Sequence, residues 1–198
     1  MARSWMTDSK NFKNLESYLE SYGDYIIRQA KLTIKKEAPK SSGRLSRSLK
    51  YRLGTKKSEY LIKFDSNKYG AFVERGVKGK GGKVKGIQYQ GNRTYIDVRG
   101  KRQRTKFKFR HKNPGKNMVS ALIPWITRNG IAIKKGQTMT GLAYAIAYGI
   151  IRKGLPSISF YTQPIAATRG LFVRNLEKSY AADIEKGIVA NGFRLKLN

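Results

Sequence analysis

The stretch between Lys78 and Lys116 constrains the fold most, because it contains fourteen lysines and arginines but a single acid, Asp97. The whole chain shares this bias, with 42 basic against 12 acidic residues and a formal net charge of +30. An excess of this size repels itself in the folded state unless a polyanion or an acidic partner neutralises it. Nucleic acid is the first candidate partner, since basic side chains displace the counterions condensed on phosphates. An anionic membrane surface is the second.

The sequence RGKRQRTKFKFRHK, residues 99–112, carries this charge on a regular pattern. Phe107 and Phe109 alternate with basic residues, as on a strand with one apolar and one cationic face. A second alternation supplies the expected partner strand, that of Thr94, Ile96 and Val98. We therefore predict a β-ribbon here, preceded by a mobile glycine-rich loop at Gly76–Gly86.

Twelve basic residues of this segment are the predicted contacts to DNA or to an acidic partner. Their contact is expected to be with the phosphate backbone and indifferent to sequence, because no recognition-helix, zinc-finger or RNP pattern is present. The twelve residues are Lys78, Lys80, Lys83, Lys85, Arg99, Lys101, Arg102, Arg104, Lys106, Lys108, Arg110 and Lys112.

The segments on either side of the basic stretch predict helices and a hairpin. Apolar residues at intervals of three and four predict a first helix that is capped by Asp8 or Ser9 and ends by Ala38, and a last helix from Thr162. Between them we predict a hairpin, with Tyr51–Leu53, a turn at Gly54–Ser58, and then Tyr60, Ile62 and Phe64 alternating. Two further helices are predicted, one at 116–130 interrupted near Pro124 and one at 138–154. After the last helix, the alternation of Phe193, Leu195 and Leu197 predicts a terminal strand. The last helix is predicted to turn Phe172, Val173, Leu176, Tyr180 and Ile184 inward.

These elements predict an α+β fold, in which long N- and C-terminal helices pack on a small antiparallel sheet. We expect residues 1–198 to form a single domain, with the basic insertion at about 76–116 and a helical elaboration at about 116–154. The first helix also carries an acidic stripe, formed by Glu16, Glu20 and Asp24. That stripe is either a solvated face or a dock for the basic segment of a neighbouring copy.

The residues that enzymes use are scarce. There is no cysteine, so disulfides and thiolate zinc sites are excluded, and the single histidine, His111, lies within the basic stretch. The glycine-rich loop matches neither the Walker pattern nor G-x-G-x-x-G, and the carboxylates are scattered. We predict a protein that is not an enzyme and uses no cofactor or metal. It lacks a secretory signal, and its longest apolar window is eleven residues, so we expect a soluble protein made in a cytoplasm.

Three stretches in order resemble the neck proteins of tailed bacteriophages, the head–tail joining or tail-completion family. APKSSGRLSRSL (residues 38–49) is similar to A-P-x-x-x-G-x-L-x-x-S-L, and YGAFVERGV (residues 69–77) to Y-A-x-F-V-E-x-G-T, with glycine and valine replacing alanine and threonine. The third stretch is an Ala/Ile-rich helix that ends in a basic-Gly turn, followed by an aromatic and a last helix. The motif residues carried over are Pro39, Gly43, Leu45, Ser48, Tyr69, Glu74 and Gly76.

The resemblance implies a structural virion protein that forms a ring of six or twelve copies around the DNA channel. Its partners would be portal or connector and tail proteins and genomic DNA, with no membrane. Gly43 and Gly76 would suit tight turns. Glu74 would make an anchoring hydrogen bond, contact a neighbouring subunit, or be an ordinary strand-end carboxylate. One alternative stays open, a cytoplasmic nucleic-acid-binding protein, ribosomal or nucleoid-like. A DNA-processing enzyme such as a nuclease would need clusters of acids that the sequence does not show.

Overall fold

The computed structural model describes residues 12–39, 41–56, 59–84, 87–89, 91 and 93–190, and at 56, 83, 84, 87 and 89 it describes the backbone alone. The predicted α+β class is confirmed, with long helices at both ends of the described chain. The helices are α1 (Lys13–Glu37), α2 (Arg44–Ser48), α3 (Gly70–Arg75), α4 (Lys116–Arg128), α5 (Met139–Lys153) and α6 (Thr162–Ala190). The strands are β1 (Lys50–Lys56), β2 (Glu59–Asp65), β3 (Val77–Lys78), β4 (Gly82–Val84), β5 (Ile87–Tyr89), β6 (Thr94–Ile96), β7 (Arg102–Arg104) and β8 (Gly154–Leu155).

The described strands form four two-stranded antiparallel sheets, which pair β1 with β2, β3 with β8, β4 with β5 and β6 with β7. The predicted β1–β2 hairpin is present, with Tyr51 opposite Phe64 and Leu53 opposite Ile62. Pairing continues to Lys56 opposite Glu59, so β1 includes Gly54–Lys56, which were predicted to be part of the turn. Residues 57 and 58 lie outside the described residues.

The N-terminal helix α1 buries the face that its apolar periodicity predicts. Leu15, Leu19, Ile26 and Ala30 are buried along it. The backbone amide of Ala38 still donates to the carbonyl of Ile34, and the helix ends there because Pro39 disfavours helical geometry in the residue before it. The predicted caps, Asp8 and Ser9, lie outside the described residues.

The C-terminal helix α6 runs antiparallel to α1. Near the N-terminal end of α6, Phe172 stacks on Tyr18 and Thr168 contacts Tyr22. Near the C-terminal end of α6, Asp183 contacts Asn14. Phe12, Leu15 and Leu19 form a core cluster with Leu53, Tyr60, Ile62, Phe172, Leu176 and Ile184. A second cluster joins Ala30, Ile34, Leu45, Leu49 and Phe160.

Two residues of α6 that were predicted to face inward are substantially exposed. Val173 is 44% exposed and Tyr180 is 43% exposed, although the Tyr180 ring stacks on Phe12 with 5.4 Å between centroids. The prediction fails because α6 packs on α1 along a narrow stripe, which covers Phe172 and Leu176 and leaves their neighbours open. The predicted terminal strand at 193–197 lies outside the described residues.

Helices α4 and α5 pack against each other around their own apolar cluster, which includes Val119, Ile126, Ala143 and Ala147. The prediction that Pro124 interrupts α4 is wrong, since the helix runs through it. Pro124 is on the exposed side, where water can take the freed carbonyl, while Val119 and Ile126 hold the other side against α5. Among the described residues, no helix is both long and apolar enough to cross a membrane.

Candidate polyanion interface

The glycine-rich stretch Gly76–Gly86 is not wholly the loop that its composition predicts, because β3 and β4 lie within its described part. Gly79, Gly91 and Gly154 bring three backbone segments into direct contact. A Cβ on Gly79 would overlap the carbonyl oxygen of Arg152, and one on Gly91 would overlap that of Gly79. The glycines therefore permit close packing of backbones.

Backbone hydrogen bonds fasten this segment to the end of α5. The amides of Lys80 and Gly81 donate to the carbonyls of Ile151 and Arg152 at 2.9 and 3.0 Å. The guanidinium of Arg152 returns toward the loop, and donates to the carbonyl of Gly81 at 3.1 Å and to the hydroxyl of Tyr148 at 2.6 Å. Arg152 was not among the predicted contact residues, because basic residues are common in the last turn of a helix and nothing in the sequence distinguishes this one.

The one acid of the basic segment, Asp97, shapes the turn between β6 and β7. Its carboxylate accepts hydrogen bonds from the backbone amides of Arg99 and Lys101, both at 2.9 Å, and from the side-chain amide of Gln103 at 3.2 Å. The bond from the Lys101 amide is the main cause that lowers the pKa of Asp97. Asp97 therefore holds the hairpin by its local hydrogen bonds.

The chain after β7 is anchored by a buried threonine. The hydroxyl of Thr105 donates to the carbonyl of Gly76 at 2.9 Å and accepts from the amide of Phe107 at 3.2 Å. The amide of Lys78 then donates to the carbonyl of Phe107 at 2.8 Å, and the Phe107 ring packs edge-on against Phe72 with 4.8 Å between centroids.

The predicted ribbon is therefore shorter than expected, and part of its assignment is wrong. Its paired strands are β6 and β7, which end at Ile96 and Arg104, and beyond them a single bridge joins Lys78 to Lys108. Val98, predicted to be in the strand, falls in the turn that Asp97 makes and is 49% exposed. The alternation after Thr105 does exist, since Phe107 and Phe109 are half-buried and the basic residues between them are exposed.

Ten of the twelve predicted contact residues have described side chains, and all ten are exposed. We call these ten residues the basic surface: Lys78, Lys80, Arg99, Lys101, Arg102, Arg104, Lys106, Lys108, Arg110 and Lys112. Lys85 lies outside the described residues, and at Lys83 only the backbone, in β4, is described.

The basic surface forms no ion pair within 4.0 Å in the described part of the chain, where the one such pair joins Arg52 to Asp65 at 2.6 Å. That pair lies on the β1–β2 hairpin, where the hydrogen bond from Arg52 is the main cause that lowers the pKa of Asp65. The nearby carboxylate is Asp97, whose pKa the charge of Arg99 helps to lower. Ten exposed cations that form no ion pair among the described residues attract anions, and the phosphate groups of nucleic acid are the first candidates.

The three motif stretches come together at a junction around Glu74. Its buried carboxylate accepts hydrogen bonds from the amides of Tyr161 and Thr162, both at 3.0 Å, and from the hydroxyl of Thr162 at 2.6 Å. Glu74 therefore caps the first turn of α6, where a negative charge is stabilised by the helix dipole. It lies in α3, not at the end of a strand, and it makes the anchoring hydrogen bonds that were one of its three expected roles.

The other motif residues build turns and packing around this junction. Gly43 and Gly76 both have a φ of +71°, which glycine adopts without steric cost. A Cβ on Gly76 would lie 2.7 Å from the carbonyl oxygen of Leu155. Leu45 is buried in the core, and the Ser48 hydroxyl accepts from the amide of Asn67 at 3.1 Å.

Two further motif residues, Pro39 and Tyr69, are exposed, and Tyr69 is 43% exposed. Tyr69 lines a groove of about 360 Å³, together with Gly43, Val73 and Leu155. This groove is therefore bordered by residues from all three motif stretches.

The junction also depends on residues that sequence reasoning missed. Ser159 has a positive φ of 50°, and its buried hydroxyl accepts from the amide of Ile96, which ties β6 to the junction. The Tyr161 hydroxyl donates to the carbonyl of Asp65 at 2.8 Å, and burial is the main cause that raises the pKa of Tyr161. A positive φ at a serine carries no sequence signal. Both contacts also join residues that are far apart in sequence, so neither could be foreseen.

Asp183 is another residue that sequence reasoning missed, and like Glu74 it caps a helix. Its buried carboxylate accepts from the amides of Asn14 and Leu15 at 3.0 and 2.8 Å, so α6 caps the first turn of α1. The available signal was an acid next to Ile184, a position that was predicted to face inward.

The predicted acidic stripe of Glu16, Glu20 and Asp24 is exposed along α1. Both of its interpretations, a solvated face and a dock for a neighbouring copy, stay predictions. His111 is exposed as well. Within the described residues, no group of three or more histidines and carboxylates is placed to hold a metal ion.

Comparisons with known proteins identify no relative. No family model, no curated protein and no solved structure matches the chain.

Proposed function

We propose that the chain is a structural virion protein of a tailed phage, part of the head–tail connector, neck or tail-completion ring around the DNA channel. In this role the basic surface makes electrostatic contacts, independent of sequence, with DNA or with the acidic surface of an adjacent ring. The observation that carries the proposal is the basic surface: ten exposed cations that form no ion pair among the described residues.

The way in which the basic surface is held supports contact with a polyanion. Its backbone is fixed by glycine packing, by Thr105 and by the Asp97 turn. The basic side chains are therefore presented from a held backbone, so less conformational entropy is lost on binding than from an unstructured tail.

The neck assignment itself is supported by the meeting of the motif stretches. Residues from all three border one groove, and Glu74 of the second stretch caps the helix that follows the third. Stretches that resemble a family's motifs only by chance would have no reason to pack together. The rival, a cytoplasmic nucleic-acid-binding protein of ribosomal or nucleoid type, has the same use for the basic surface but none for this convergence.

Sedimentation tests the assignment directly. Lysate from the source is washed with high salt, separated on a sucrose gradient, and the chain is followed by mass spectrometry. The proposal predicts that it migrates with DNA-filled particles and resists the wash. Migration with ribosomal subunits, or release by salt to the top of the gradient, would overturn the neck assignment and favour the rival.

A further inference from the structure

A groove of about 710 Å³ runs between α1, β2 and α6 and reaches the β6–β7 turn at Val98, next to Arg99 of the basic surface. Its lining is largely apolar, with Leu19, Ile62 and Phe172 among the residues that form its walls. Val98, Val173 and Tyr180 also line it, and each is more than 40% exposed. Large exposed apolar residues that line a single groove are typical of a binding surface.

Two acids and one base lie at the groove, on a protein whose net charge is +30. Glu177 is part of its lining, and Glu16 is near Tyr60 in the same wall. Burial is the main cause that raises the pKa of Tyr60, and the Glu16 carboxylate adds to it. Arg169 is the basic residue of the lining, two helical turns before Glu177. An occupant that matches this groove is apolar on one side and basic on the other.

Besides LKYRL (residues 49–53), whose residues 50–53 are paired in the β1–β2 hairpin, the chain contains two segments with that alternation. One is residues 106–110, but its Phe107 ring already packs on Phe72 and its backbone is bonded to Lys78. The other is FRLKL, residues 193–197, which lies outside the described residues. In an extended conformation, Phe193, Leu195 and Leu197 would share one face, and Arg194 and Lys196 the other.

The length of α6 favours a neighbouring copy as the donor of this segment. Tyr180 is ten residues before Ala190, so the near end of the groove is about 15 Å back along the helix. Phe193 is three residues beyond Ala190, and three residues span at most about 10 Å. Phe193 therefore falls short of the groove of its own chain, and Leu195 and Leu197, which extend at most about 18 and 25 Å beyond Ala190, reach only its near part. A second copy can place all three apolar residues in the groove.

We propose that residues 193–197 of one copy fill the α1–β2–α6 groove of the next. The apolar side chains would cover the exposed lining, and Arg194 and Lys196 would face Glu177 and Glu16. Because donor and acceptor surfaces differ, the contact is head-to-tail and closes into a ring if its rotation allows. It would supply a subunit contact for the proposed neck ring, but it rests on the groove and not on that assignment.

Engineered cysteines test the proposal, because the chain has none of its own. Chains carrying Leu195→Cys are mixed with chains carrying Val173→Cys and oxidised. The control partner carries Leu61→Cys, which is 62% exposed on β2 but is not part of the groove lining. The proposal predicts a disulfide-linked dimer with Val173→Cys and little with the control. Adding Arg194→Glu and Lys196→Glu to the donor is expected to lower the yield to the control level.

Two results would overturn the proposal. If one chain carrying both Leu197→Cys and Tyr180→Cys forms an internal disulfide while the mixture forms no dimer, the segment binds its own chain. If neither cross-link exceeds the control, the groove is not the site of this segment. Binding of DNA to the basic surface is unaffected by either result, so this test and that of the proposed function fail independently.

Discussion

The α1–α6 body and the basic segment, residues 77–112, are each stabilised by a different kind of contact. In the body, side chains do this: apolar clusters fill the space between helices, and two buried carboxylates, Glu74 and Asp183, cap α6 and α1. In the basic segment, backbone groups do it, through glycine contacts, main-chain hydrogen bonds and the small side chains of Asp97 and Thr105.

This difference separates the residues that stabilise the fold from those available to a partner. The basic surface contributes long side chains that the described structure leaves exposed and without ion pairs. We therefore expect mutations in the body to change the free energy of unfolding, and mutations of the basic surface to change binding alone. Four predictions test this separation, in decreasing order of their effect on stability.

The largest effect is expected from Phe160→Ala. Phe160 is fully buried between Ala30, Ile34, Leu45 and Leu49, so truncation leaves a cavity in the body. We expect the free energy of unfolding to fall by about 3–5 kcal/mol, measured by denaturant titration. Phe160→Leu is the matched control and is expected to cost less. A loss below about 1 kcal/mol would contradict the assignment of this cluster as a core.

A smaller effect is expected from Glu74→Ala, which removes the acceptor of three hydrogen bonds at the start of α6. Hydrogen bonds to a charged group are worth about 1.5–3 kcal/mol, and we expect a loss of about that size in the free energy of unfolding. Glu74→Gln keeps one carbonyl acceptor and is expected to lose less. Equal losses in the two variants would show that the carboxylate charge is not what caps the helix.

Asp97→Asn should have a smaller effect still, and one that depends on pH. The folded state lowers the pKa of Asp97 from 3.8, mainly through the Lys101 amide. Its contribution to stability is therefore complete above about pH 4 and is lost as the pH falls through the lowered pKa. The melting temperature of Asp97→Asn should lie below that of the unmodified protein at pH 7, and the gap should close at lower pH. A gap that does not narrow at all as the pH is lowered below about 4 would contradict this role of the charge.

The smallest effect on stability is expected when Lys101, Arg102, Arg104 and Lys106 are all replaced by alanine. These side chains are exposed and have no ion pair within the described residues, so the free energy of unfolding should change by less than about 0.5 kcal/mol for each substitution. Denaturant titration gives the value. A loss comparable to that of Phe160→Ala would mean that the cations stabilise the fold and would remove the contrast between the two regions.

The sequence predicted the body of the fold better than the basic segment, for a physical reason. The four long helices, α1, α4, α5 and α6, and the β1–β2 hairpin follow from apolar periodicity, which reflects a buried face directly, whereas the short helices α2 and α3 were not predicted. The glycine stretch was wrongly predicted to be a loop throughout because local composition does not reveal that Gly79 faces Gly91 and Gly154 across the chain. Val98 was placed in a strand because its alternation continues past the point where Asp97 turns the chain.

The candidate site was predictable in part. Exposure of the basic residues follows from their charge, and all ten that are described are exposed. The roles of Arg152 and Ser159 depend on contacts between residues that are far apart in sequence, so no local pattern indicates them, and for Asp183 the local signal was only its place next to Ile184.

The measurement that tests the central claim most directly is the affinity for duplex DNA of unrelated sequences as a function of salt. The unmodified protein is compared with the four-alanine variant and with a control that removes the same charge elsewhere, Arg28, Lys31, Lys35 and Arg174 to alanine. If the basic surface binds phosphates, the four-alanine variant alone binds more weakly, and equally so for all sequences. The slope of log K against log salt should then become shallower by about one for each phosphate that the variant no longer neutralises. If both variants bind equally weakly, or neither is weakened, the claim that this surface binds the polyanion is wrong.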